Sequence, residues 1–161
     1  MIGMGLLMEL ALYVFNKQDT KHLATLLMSA IHSFSPETRM KCKDDYYTLM
    51  NATFSCIVQD DDSVSFTREE LSLDINYCIS ITIFSHSPEE ALRVIFQAVN
   101  KLTAHLDKDV ALTDSASGVI FLRSNGQLII NSHCRENPDI YDWPFDALEG
   151  DFIEKDMAGL L

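Results

Sequence analysis

The sequence predicts an α+β fold: a single domain with one antiparallel sheet and two amphipathic helices packed on one of its faces, in the order β-α-βββ-α-βββ. Three observations predict it. From Leu71 to Ile83 the odd positions are apolar or aromatic, while the even positions run Ser72, Asp74, Asn76, Cys78, Ser80 and Thr82. Period two over so long a run describes a sheet with one buried and one polar face, which disfavours a parallel, doubly wound sheet buried on both sides. Two other segments carry apolar residues at helical spacing, and Asn125-Gly126 lies between two apolar runs as a hairpin signal.

Taken in order, "MELALYVFN" alternates Leu10, Leu12 and Val14 as an opening strand. "DTKHLATLLMSAIHSF" follows, with Leu23, Leu26, Leu27, Ala30, Ile31 and Phe34 on one helical face; Asp19 or Thr20 caps it and Ser35-Pro36 stops it. Residues 36–51 are polar and read as surface, with the basic island "RMKCK" (Arg39, Lys41, Lys43). "TFSCIVQ", the turn Asp60, Asp61 and Asp62, and a returning "SVSF" are expected to form a hairpin before the long strand 71–83. The second helix opens on a capping box, with Ser87 as cap, Pro88 at the first helical position and Glu90 three after the cap. Leu92, Ile95, Phe96, Val99 and Leu102 are its buried stripe. "DVALTD" and the two arms around Asn125-Gly126 complete the strands.

At 161 residues and 47% hydrophobic content the chain suits one self-sufficient domain. Residues 8–153 are expected to form it, with 154–161 frayed. Met1, Met4 and Met8 all precede good continuation, which makes Met8 a candidate start and residues 1–7 a leader outside the domain. The opening run imitates a signal peptide but lacks a basic start, contains Glu9 and has no small-residue cleavage site. The spacing of Cys42, Cys56, Cys78 and Cys134 fits neither CxxC nor zinc binding, and reduced thiols in the cytoplasm are expected. A net charge of −12 argues against nucleic acid or an anionic membrane as partner and suits either solubility or a basic protein.

Chemistry-bearing motifs are sparse. No phosphate-binding glycine loop, HExxH or GxSxG occurs, and the Asp60–Asp62 run lacks the glycine and distal glutamate of a Ca²⁺ loop. No cofactor and no metal are expected. His133-Cys134 pairs a base and a nucleophile, but neighbours on a strand point to opposite faces, so a catalytic cysteine would need His86 or His105 instead. The expectation is a protein that is not an enzyme.

Residues 136–161 concentrate eight acids against one lysine together with Tyr141, Trp143, Phe145 and Phe152. Rings at this density predict a docked strip, and its carboxylates must then face water. Asp139, Tyr141, Asp142, Trp143, Phe145, Asp146, Glu149 and Asp151, with Asp60, Asp61 and Asp62, are the candidate partner-binding residues.

In its build, small, acidic, cysteine-poor and α+β, the chain resembles bacterial immunity proteins of polymorphic-toxin and contact-dependent growth inhibition systems. "DVALTDSASGVIFLRSNGQLIINSH", followed by a tryptophan, is similar to the C-terminal half of several such families. The resemblance implies an antitoxin that binds a cognate, basic, nuclease-type toxin domain and blocks its active site. The chain is also similar to type III secretion chaperones over residues 20–132, which would imply a homodimer, although "LALYVF" and the Pro- and Gly-broken tail depart from that pattern. A small cytoplasmic enzyme using Cys/His chemistry is the remaining alternative.

Overall fold

The computed structural model describes residues 7–60, 64–84, 88–106, 108–115, 118–136 and 142–158. Nine strands form one sheet: β1 (Met8–Val14), β2 (Arg39–Lys43), β3 (Tyr46–Met50), β4 (Phe54–Gln59), β5 (Tyr77–Ile83), β6 (Val110–Asp114), β7 (Gly118–Ser124), β8 (Gln127–Asn131) and β9 (Phe152–Lys155). Their order across the sheet is β2-β3-β4-β5-β1-β6-β7-β8-β9. Four helices accompany them: α1 (Thr20–His32), α2 (Val64–Leu71), α3 (Pro88–Thr103) and the short α4 (Ser132–Glu136). The expected α+β class is therefore the observed one.

The opening strand is central, paired antiparallel with β5 on one side and β6 on the other. Its even positions Leu10, Leu12 and Val14 enter the main core with Leu49, Phe54, Cys56, Val58, Ile79, Ile81, Ile83 and Leu112. The helices α1 and α3 cover this face side by side through Leu23, Leu27, Ile31, Leu92, Ile95, Phe96 and Val99. The Asp19 carboxylate accepts from the His22 backbone N–H at 2.9 Å and starts α1. The cap expected of α3, Ser87, lies outside the described residues, as does His86.

Three expectations are corrected. Residues 39–50 are the hairpin β2–β3, turned at Asp44 with φ +53°. All five residues of β2 are exposed, so no apolar stripe marked it. "SVSF" is not a returning strand: Val64–Phe66 open α2, and Asp61, Asp62 and Ser63 lie outside the described residues. The long strand is also shorter than expected, because only Tyr77–Ile83 belongs to the sheet.

The reason lies at the end of α2. Ser72 adopts φ +53° and the Leu73 N–H donates to the Arg68 carbonyl at 3.2 Å, the six-to-one bond of a Schellman ending. The chain then runs on with Leu73 and Ile75 buried, but against the second face of the sheet. There they join Val64, Ala111, Val119, Leu122 and Met157 in a separate small core. An extended segment lying on a sheet has the same apolar alternation as a strand within one.

The expected hairpin at Asn125-Gly126 is present, with both residues in the left-handed region at φ +51° and +80°. A Cβ added at Gly126 would meet nothing within 4 Å. The cost of Gly126→Ala is therefore conformational and is expected at about 1 kcal/mol, read as a lower urea midpoint with an unchanged slope.

Candidate binding strip and acidic hollow

The tail docks, and its contacts with α3 explain how β9, alone among the described strands, pairs parallel to its neighbour. A parallel pair needs a connection that travels back along the strand. After β8 the chain turns through α4, and residues 142–149 lie along α3 before the chain enters β9. Trp143 and Phe145 are its anchors. The Phe96 ring of α3 is stacked with Trp143 at 6.3 Å and 23° and meets Phe145 edge-on at 5.9 Å. Phe121 closes the cluster from the sheet at 5.3 Å from Phe96. Trp143 is only 7% exposed, so it holds the strip down and does not face outward.

Polar contacts fix the rest of the path. Both Arg93 guanidinium NH₂ groups donate to the Asp146 carboxylate, at 3.0 and 3.1 Å. The Glu149 N–H donates to Asn100 Oδ1 at 2.9 Å. Arg135 binds Glu154 at 2.7 Å and lies over the Phe152 ring at 5.1 Å. The strip therefore ends in a strand, and Met157 beyond it is 2% exposed, its N–H bonded to Asn131 Oδ1 at 3.0 Å. Order thus continues past the point, Glu154, where fraying was expected.

Of the candidate residues, Asp142, Glu149 and Asp151 are exposed and form no ion pair among the described residues. Asp146 is exposed but already matched by Arg93. Asp139 and Tyr141 lie outside the described residues, as do Asp61 and Asp62. Asp60 is described and sits elsewhere. It borders a hollow of about 740 Å³ with Asp19, Thr20, Lys21, Asp44, Asp45 and Tyr47. The strip instead runs along α3 through Arg93 and Asn100, and it shares no lining residue with this hollow. The two acidic groups do not form one patch. Asp19 and the Asp44-Asp45 turn were missed in the sequence because they come from a helix cap and a hairpin whose strands carried no legible pattern.

The two buried thiols, Cys56 and Cys134, do not have the environment of activated nucleophiles. Burial pushes Cys56 up to about 12, and burial followed by the Asp114 charge pushes Cys134 up to about 11. Cys134 faces the Val119 carbonyl at 3.9 Å, while its neighbour His133 is exposed. Among the described residues no three His, Cys, Asp or Glu side chains gather closely enough to hold a metal ion, and no helix is long and apolar enough to cross a membrane. Compared with known proteins, the chain matches no protein-family model, no curated protein and no solved structure.

Two outcomes follow from this geometry. Hydrogen bonds from Arg93 hold the Asp146 carboxyl below its ordinary range. The pair's contribution is thus complete above about pH 4 and is lost as pH falls through the lower folded value. The stability gap between the native chain and Asp146→Asn, read by Trp143 fluorescence during urea unfolding, is expected to narrow from pH 7 to pH 3. With a thiol-reactive disulfide reagent at pH 8, exposed Cys42 is expected to react at once, and Cys56 and Cys134 only after unfolding.

Proposed function

We propose that the chain is an immunity-type protein that binds a basic bacterial toxin domain of the nuclease class and blocks its active site stoichiometrically. The observation that carries this reading is the pinned strip. Aromatic anchors and arginine clamps fix the backbone of 142–156, while Asp142, Glu149 and Asp151 are exposed at its surface and form no ion pair among the described residues, Asp142 lying within the field of Arg93. A fixed backbone lowers the cost of ordering the carboxylates it carries, and a net charge of −12 accelerates encounter with a basic partner. In a nuclease cleft these carboxylates occupy the positions of substrate phosphates. The residues that hold them, Trp143, Phe145 and Arg93, act through the strip's shape and need not touch the toxin.

The buried, protonated thiols lend no support to Cys/His catalysis. The secretion-chaperone reading meets a tail that ends in β9, where that family's pattern expects a helix.

Calorimetry with the toxin domain encoded beside this chain is expected to show a one-to-one complex that silences the nuclease. The triple substitution D142N/E149Q/D151N is expected to weaken it roughly tenfold to a hundredfold, with a shallower salt dependence. Binding indifferent to both salt and these substitutions, or no binding to that domain, would overturn the reading.

A further inference from the structure

The described residues cover the second face of the sheet over about half its width. The small core beneath α2 engages Tyr13, Ala111, Val119, Leu122 and Ile129, on β1 and the strands β6 to β8. No described element packs over β2, β3 and β4. There Met50 is 50% exposed, and Thr48, Ser55 and Ile57 are only partly buried. At the margin of this bare half lies β2, an edge strand with pairing on one side only.

The register assigns the side chains of β2 to faces. Met40 is opposite the buried Leu49 and so lies on the helix side, whereas Arg39, Lys41 and Lys43 are opposite Met50, Thr48 and Tyr46 on the bare side. Three of the chain's twelve Lys and Arg residues thus form one row, about 6.8 Å apart, in a molecule of net charge −12. None of the three makes an ion pair among the described residues. Beside them a hollow of about 330 Å³ is lined by Glu37, Arg39, Lys41, Thr48, Met50 and Asn51.

We propose that β2 is the docking edge for an extended acidic segment of another protein, which adds as a tenth strand with carboxylates at every second position. Backbone bonds to the free edge supply affinity, and cross-strand pairs with Arg39, Lys41 and Lys43 supply selection. Lysines on an edge commonly repel foreign strands. Cations on one face only repel neutral or basic strands and admit acidic ones. A second copy joined through β2 would set these cations against themselves. A copy joined through β9 would bring Lys155, or Glu154 already tied to Arg135. This surface is separate from the acidic strip and stands or falls independently of the toxin reading.

The test uses the full chain and a short fluorescein-labelled peptide with Glu at alternate positions separated by Val and Thr. The control peptide has the same composition with its Glu residues contiguous. By fluorescence anisotropy the alternating peptide is expected to bind more tightly. Lys41→Glu, at an exposed position, is expected to weaken it about tenfold without changing the melting temperature. Methylating alternate peptide nitrogens is expected to abolish binding, since it removes the backbone donors. Equal binding of the two peptides, indifference to Lys41→Glu, or tolerance of methylation would overturn strand addition. So would self-association in sedimentation that Lys41→Glu abolishes, because it would make a second copy the occupant.

Discussion

The constraint that organises this molecule is the area of a nine-stranded sheet. Each face must be covered by apolar side chains from elsewhere or be polar enough to face water. The pair α1 and α3 covers one face from Leu49 on β3 across to Ile130 on β8. Among the described residues the other face receives an eight-residue helix, the extended stretch after it and Met157. Its remaining width is tolerable because Thr48, Ser55, Ser80 and Thr82 supply hydroxyls there.

Closing the sheet depends on partners distant in sequence. The strand β1 pairs with β6, about a hundred residues later, so the centre forms only when most of the chain is present. At the far side Asn131, fully buried, does the joining. Its amide donates to the Val119 carbonyl at 2.7 Å, and its oxygen accepts from the N–H groups of His133 and Met157 at 3.0 Å each. One side chain thereby binds β7, α4 and the end of the tail. By contrast, the buried Oδ2 of Asp114 has no hydrogen-bond partner among the described residues, and the Asp114 charge is felt at Cys134.

Charge is divided along the same axis. The acidic strip runs along α3 to β9 at one margin of the sheet, and the cationic row lies on β2 at the other. Among the described residues no ion pair joins the two surfaces. The two surfaces can therefore present opposite charge to different partners.

By itself the sequence determined the features that depend on near neighbours. These are the alternation of β1 and β5, the stripes of α1 and α3, the Asn125-Gly126 turn, and the docking of a tail too rich in rings to stay in water. The tertiary structure decided which face each pattern meets. Leu71, Leu73 and Ile75 alternate like a strand yet lie across the sheet, because period two records only that one side is buried and not what buries it. The hairpin β2–β3 left no apolar trace because its outer strand is exposed on both sides. The candidate carboxylates were legible as residues but not as a site. Asp60 joined Asp19, Asp44 and Asp45 instead of the strip, because strand order, which arises from long-range pairing, sets the distance between them.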